Sequence, residues 1–278
     1  MRKVLALAAA VLALPSLARA GDVELTGFAG YTFPFYSQTF DYGPGPVTIP
    51  IPGVSVEQSG SFQLKASGGT AFGGSLAFFP AATIGLELRV DHGNVKVETQ
   101  TTGYNVNLTL PAPLDPVKTT LDLSPGQATL DAAAPWSLNL KLRTSGRSGF
   151  YVSGGLSHLG DLNFSATQTV ALGVVAVNLV TSNLEIASIE MRTKPRTTGS
   201  SSWGGNLGLG LQFALGEHAR LLFEGRGFYF AKQTYDWEAV ITTPLPPLQT
   251  QLLGRLQLDP IEVKPWWVQA TIGISYRF

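Results

Sequence analysis

The chain contains no cysteine. Its absence excludes disulfide staples, thiolate chemistry and a lipid-acceptor cysteine at a leader cleavage site. Charge is also scarce, with Asp, Glu, Lys and Arg together at 14% of 278 residues and the two signs balanced at 19 each. Without Arg2, Lys3 and Arg19 of a leader, 16 basic residues face 19 acidic ones. No electrostatic footprint for DNA or RNA exists in such a chain, and a nucleic-acid partner is not expected. Beyond the first 20 residues there is no long apolar run, so a membrane-spanning helix is excluded there.

Glycine (31 residues) and aromatic side chains (10%) are plentiful instead. Arg2 and Lys3 precede an apolar run from Val4 to Leu14, then Pro15 and the small-residue site Ala18-Arg19-Ala20. This pattern predicts a secretory signal peptide over 1–20, and the eleven-residue apolar core is too short to anchor a helix in a bilayer. Residues 21–278 are expected to form one domain.

Period-two alternation decides its class. In a barrel wall, alternate residues face lipid and lumen. Counting back from Phe278, one face carries Tyr276, Ile274, Ile272, Ala270, Val268 and Trp266, and the other carries Arg277, Ser275, Gly273, Thr271 and Gln269, broken only by Trp267. The same pattern sets Val23, Leu25, Gly27, Ala29, Tyr31, Phe33 and Phe35 against Glu24, Thr26, Phe28, Gly30 and Thr32. A third case sets Trp203, Leu207, Leu209, Leu211 and Phe213 against Asn206, Gly208, Gly210 and Gln212, and the inner glycines suit a narrow, filled lumen. Further strands are expected over about 62–79, 83–98, 136–143, 150–166 and 219–237, giving eight in all.

Short links at Pro80-Ala81-Ala82, Thr144 to Ser148 and Gly216-Glu217-His218 alternate with long ones over 36–61, 99–135, 167–202 and 238–263. Bacterial barrels alternate short periplasmic turns with long extracellular loops, which puts both termini on the periplasmic side. Aromatic residues gather at predicted strand ends: Trp136, Trp203, Trp237, Trp266, Tyr31, Tyr235 and Phe35 at one end, Phe78, Phe213, Tyr276 and Phe278 at the other. They read as interfacial girdles. A soluble β-sandwich shares the alternation but would not add an export signal and two girdles. The expected fold is all-β: a transmembrane antiparallel up-and-down β-barrel of eight strands with long, β-rich extracellular loops.

The opening Gly27-Phe28-Ala29-Gly30-Tyr31 and closing Ile272-Gly273-Ile274-Ser275-Tyr276-Arg277-Phe278, with the leader, resemble the small outer-membrane barrel superfamily that includes the OmpA, OmpX and OmpW types. The resemblance implies that the terminal strand, with Tyr276 and Phe278, is read by the outer-membrane assembly machinery. It also offers OmpW-like uptake of small hydrophobic molecules as one function. It identifies a fold, not an activity.

Nine charged residues fall on inward-facing positions of these strands: Lys65, Glu87, Arg89, Asp91, Lys141, Arg143, Glu224, Arg226 and Lys232. Eight strands enclose only room for their own side chains, so opposite charges are expected to pair and block the bore. A narrow polar passage or gate is the other reading of the same set. His92, His158 and His218 stand apart in sequence, in no triad or metal-ligand spacing, and no cofactor is expected. Gly204-Gly205-Asn206-Leu207-Gly208-Leu209-Gly210 superficially resembles a phosphate loop, but it lies in strand alternation with no helix after it. Catalysis is therefore not expected; a barrel hydrolase or acyltransferase is the distant alternative.

The long loops are unusually apolar at 47–56, 104–110, 170–180 and 245–258, with prolines at their tips. Each is expected to rise as a hairpin above the wall. Three consequences stay open: the loops pack on one another, they form a pocket for a small hydrophobic ligand at the mouth, or one hairpin enters the membrane and raises the strand count to ten or twelve. A monomer with a structural, adhesive or solute-passage role follows.

Overall fold

A computed structural model describes residues 22–42, 53, 55–93, 95–111, 116–121, 126–132, 134–146, 148–160, 162–178, 183–195, 201–240 and 258–278. The expected leader over 1–20, the proline tips at 44–52, 113 and 244–247, and most of the apolar stretch 245–258 lie outside those residues.

Strands alternate between two surroundings. Eight of them form a closed antiparallel barrel: β1 (Asp22–Pro34), β4 (Gly69–Ala81), β5 (Ile84–Gly93), β9 (Trp136–Arg143), β10 (Gly149–Leu159), β13 (Ser202–Ala214), β14 (Ala219–Phe230) and β17 (Trp266–Arg277). The circle closes where β1 pairs with β17 on one side, Glu24 opposite Arg277 through Pro34 opposite Trp267, and with β4 on the other. Short links over 82–83, 144–146 with 148, and 215–218 lie at one end of the barrel together with Asp22 and Phe278; this is the turn end.

The barrel is inside out relative to a water-soluble protein. Each exposed large hydrophobic side chain among the described residues lies on a barrel strand or within one residue of it, including Leu86, Leu88, Leu138, Leu140, Leu207, Leu209, Ile272 and Ile274. The inner face carries Glu24, Ser75, Glu87, Arg89, Asn139, Lys141, Ser153, Asn206, Gln212, Glu224, Arg226 and Gln269, all buried. An apolar belt of that extent has a stable home only in a bilayer. Outer aromatics cluster at both rims: Trp136, His158 and Trp203 at the far end, His218, Tyr276 and Phe278 at the turn end.

At the far end the long connections build a head. Its first sheet runs in the order β2 (Ser37–Tyr42), β3 (Ser55–Ser67), β6 (Lys96–Thr109), β7 (Val117–Leu121). The second runs β16 (Ile261–Val263), β15 (Gln233–Val240), β12 (Asn183–Pro195), β11 (Leu162–Asn178), β8 (Gln127–Ala132). The two share one apolar core in which Phe40, Phe62, Tyr104 and Val106 of the first meet Phe164, Val170, Ile189, Tyr235 and Ile261 of the second. Trp237 stands edge-on to Phe40 and Phe62, at 5.6 and 5.5 Å between ring centroids. Apolar loops thus pack on one another. Each long connection pairs antiparallel with itself, β2 with β3, β6 with β7, β11 with β12 and β15 with β16, these pairs line up into two sheets around one core, and the closed barrel keeps eight strands.

Three differences from the sequence reading have one physical cause. The strands expected at 62–79, 83–98, 150–166 and 219–237 each break, near Gly68, Val95, Gly160 and Ala231, on passing between barrel and head. Across three of these breaks the apolar residues keep their sequence phase while the face they occupy inverts. Phe62, Leu64 and Ala66 point into the head core, whereas Phe72, Leu76 and Phe78, in the same phase, point outward from the barrel. Val152 and Leu156 against Phe164 and Ala166, and Phe223 and Tyr229 against Tyr235, repeat the inversion. The surrounding medium changes from lipid to water, so the same alternation demands opposite faces. Lys65 accordingly lies on the exposed outer face of β3, not in the bore. Lys232 is exposed in the link before β15, where its Nζ pairs with Glu262 at 2.6 Å, and it too is outside the bore. Tyr235 and Trp237 belong to the head core and not to a membrane girdle.

Candidate functional site: the sealed bore

The bore is filled by a continuous network of paired charges. At the turn end Glu24 accepts from Lys141 Nζ at 2.7 Å and Arg143 Nη1 at 3.1 Å, with Arg220 Nη1 at 3.8 Å. Arg143 also reaches Asp22 at 3.1 Å, and Arg277 pairs with the same carboxylate. One layer further in, Glu87 accepts from Ser75 and Asn139, each at 3.1 Å, and lies 3.6 Å from Lys141 and 3.5 Å from Arg226.

Glu224 is the hub of the next layer. Arg89 Nη1 donates to its Oε1 at 2.8 Å, Arg226 Nε to the same oxygen at 2.8 Å, Arg226 Nη2 to Oε2 at 3.0 Å, and Tyr151 Oη to Oε2 at 2.8 Å. Arg89 donates also to Asp91 through Nε at 2.9 Å, and its guanidinium lies 3.8 Å from the centroid of the Phe28 ring. Arg226 completes its set with Asn206 and Ser153.

Glu87, Arg89, Asp91, Lys141, Arg143, Glu224 and Arg226 therefore meet in one network, and Lys65 and Lys232 do not join it. Glu24 and Arg220 join it although they are not among the nine inward charges read from the sequence. Glu24 was legible as a member of the polar face of the first strand. Arg220 stands one residue inside a strand end, where the alternation gives little warning.

The strand glycines make the filling possible. A Cβ on Gly210 would overlap the ring of Tyr151, and one on Gly208 would stand 2.8 Å from Arg226 Nη2. Only glycine leaves the hub room to close.

Above the charges the bore changes character. Trp267 stacks on Phe228 and Phe230 at 5.3 and 5.2 Å, and Leu159 is fully buried beside this layer in the head core. Trp267, which breaks the polar face of the last strand, is thus the lid of the lumen. Past the lid lies a small apolar cavity of about 60 Å³ between barrel and head, lined by Tyr36, Ala66, Val97, Leu159, Phe164 and Trp267 among others. Burial from water pushes the Tyr36 phenol above its ordinary pKa, and the same cause raises Tyr104 in the head core, where its hydroxyl donates to Gln58.

The three histidines do not come together. His92 packs on Phe72, His158 lies between Trp136 and Trp203, and His218 stacks on Tyr276 with its Nδ1 2.9 Å from the carbonyl of Arg277. Among the described residues no group of three or more His, Asp or Glu is placed to hold a metal ion.

No protein-family model matches the chain, and no curated protein matches it. Several solved structures are similar in outline, among them the following three. The outer membrane protein OprG from Pseudomonas aeruginosa aligns over 93% of this chain and 96% of its own, at 17% identity and a TM-score of 0.43. For the N-terminal β-barrel domain of OprF from the same organism the shares are 93% and 98%, at 12% identity and a TM-score of 0.34. Outer Membrane Protein W of E. coli gives 93% and 98%, at 15% identity and a TM-score of 0.33. The barrel assignment for this chain rests on its own strand ladders and faces.

Proposed function

We propose that the chain is an outer-membrane protein in which an occluded barrel anchors a folded β head at the cell surface, in a structural or adhesive role without catalysis. The observation that carries this reading is the seal: a buried ion-pair network through the bore, an aromatic lid above it and a close-packed head core above that. Buried charges that are fully paired hold a bore shut, since an ion entering it would have to break those pairs while losing its own water. Short turns and both described chain ends at one side support a periplasmic position for them and an extracellular position for the head. Tyr276 and Phe278, outward and about half exposed at that turn end, are available for the assembly machinery to read. The barrel closes on itself, which fits a monomer in outer-membrane lipid.

Bilayer recordings on the purified full chain test the seal. Baseline current at both polarities is expected; stable stepwise conductance would sink the sealed-bore reading. Orientation has its own test, made clean by the lack of native cysteine: an impermeant maleimide added to intact cells should label Ser59→Cys in the head and not Glu217→Cys in a turn.

A second reading, uptake of a small hydrophobic molecule, is favoured by the apolar cavity beneath the head. At about 60 Å³ it is well below the roughly 300 Å³ of an ordinary ligand pocket, so the head would have to part to admit one. Saturable binding of an apolar fluorophore, lost in Ala66→Met, would move the choice to this reading.

A further inference from the structure

The wall of the protein has a seam. Up to the pairing of Pro34 with Trp267, β1 and β17 share a ladder. Past one further backbone bond, from the Phe35 N–H to the Trp266 carbonyl at 3.4 Å, β2 pairs with β3 and β16 with β15, and among the described residues no backbone ladder joins the two head sheets where they end side by side. Gln38 spans the gap: its Nε2 donates to the carbonyl of Pro260 at 3.1 Å, and its Oε1 accepts from the backbone N–H of Glu262 at 3.0 Å. A side-chain amide thus stands in for the missing peptide pairing.

Outside this bridge lies an open groove of about 500 Å³. Its floor is Phe35 and Trp266, stacked at 4.4 Å between centroids and exposed on the outer face at the rim of the apolar belt. Its walls are Ser37, Gln38, Asp259, Glu262 and Lys264. Glu262 is already engaged by Lys232, and that hydrogen bond holds its carboxyl below the usual range. Lys264 and Asp259 make no ion pair among the described residues. Among the described residues the groove therefore offers the Asp259 carboxylate, the Lys264 ammonium, whose charge adds to that of Lys232 in lowering the Glu262 carboxyl, and the Ser37 hydroxyl, which accepts from Gln63 Nε2 at 2.9 Å and keeps its own proton to donate, above an aromatic floor at membrane-interface height. Tyr36, Lys264 and Trp266 also line the apolar cavity behind it.

We propose that the seam groove binds the head group of a phosphorylated glycolipid in the leaflet on the head side. Lys264 takes the phosphate, which suits a flexible point-charge donor. Asp259 and Ser37 take sugar hydroxyls, which donate to a carboxylate and exchange hydrogen bonds with a hydroxyl. The first methylenes of an acyl chain lie along Phe35 and Trp266, rings suited to the boundary between apolar chains and wet head groups. A simple anion would be opposed by Asp259; a head group carrying both phosphate and hydroxyl donors uses both walls. The choice of leaflet rests on the orientation proposed above.

Native mass spectrometry of the detergent-purified full chain, offered an acylated, phosphorylated glucosamine disaccharide, its dephosphorylated form, phosphatidylethanolamine or inorganic phosphate, tests the site. The phosphorylated glycolipid should be retained preferentially, and inorganic phosphate should not displace it. Lys264→Gln and Asp259→Asn should each lower its retention by about fivefold, the loss of one solvent-exposed charge contact. Lys194→Gln, at an exposed ion pair on β12, should leave it unchanged. Both site variants alter exposed side chains, and the heat-dependent gel shift of the barrel reports that they fold. Equal retention of phosphatidylethanolamine, displacement by free phosphate, or full retention by Lys264→Gln would each overturn the proposal. Ser59→Cys labelling judges the orientation separately: label from the wrong side would overturn the choice of leaflet, while the retention data would still decide the groove.

Discussion

Replacing Glu224 by Gln should be one of the most damaging single-atom changes in the barrel. The carboxylate receives two arginines and a tyrosine at 2.8 Å each, and its side chain is 4% exposed. Without it Arg89 retains Asp91 at 2.8 Å, but Arg226 retains, besides its neutral partners Asn206 and Ser153, a single anion, Glu87 at 3.5 Å, and two guanidinium groups face each other with no anion between them. Removing one partner of a buried pair costs about 3–5 kcal/mol, a large part of the roughly 5–15 kcal/mol that holds a typical domain folded. Urea unfolding in lipid vesicles, followed by tryptophan fluorescence, reads the difference. Because the site is closed to water, the loss should be nearly the same at about 50 mM and about 500 mM salt, whereas an exposed pair would be screened. Adding Arg226→Met removes the stranded cation, so the double variant should lose at least about 1 kcal/mol less than the sum of the singles. A Glu224→Gln cost under about 1 kcal/mol, or one that fades with salt, would refute the reasoning, since it would mean that water and not arginine solvates the hub.

Three further outcomes follow from other parts of the molecule. Gly210→Val should push Tyr151 off Glu224 and cost about 1–3 kcal/mol by overpacking, measured in the same unfolding assay, while Gly227→Val, at an outer-face glycine with open space around it, should not. Gln38→Ala should leave the Glu262 N–H without its seam acceptor, so its hydrogen exchange should accelerate by about tenfold while the barrel ladders stay protected. The head should weaken in alkali. Tyr36 and Tyr104 have folded pKa values raised above the unfolded value of about 10, so their contribution is complete below that pH and is lost as pH rises past it. Far-UV circular dichroism against pH should show the loss, and Tyr104→Phe should reduce its slope.

Much of the barrel was legible because the signal is local. Each residue of the last strand declares its face by its own polarity, and the alternation of short and long links needs only turn chemistry. Seven lumen charges followed from the same rule. Lys65 and Lys232 did not, because the rule assumes one medium along the whole strand. The apolar phase runs unbroken through Gly68 and past Ala231, so nothing in the local pattern marks where lipid gives way to water. Trp267 illustrates the converse: an aromatic on a polar face looks like an exception until Phe228 and Phe230, on the neighbouring strand, turn it into a lid.

By itself, the sequence determined that the chain spans a bilayer with strands and which way their side chains alternate, since these depend on transfer of each side chain between water and lipid, while the count of eight, which a loop hairpin could have raised, was closed by the strand pairing. Only the tertiary structure decided which charge meets which across the bore, that the apolar loops unite in one head, and that a seam bridged by Gln38 remains above β1 and β17. Those outcomes depend on strand register and on contacts between residues as far apart in the chain as Asp22 and Arg277, and no local preference encodes such distances.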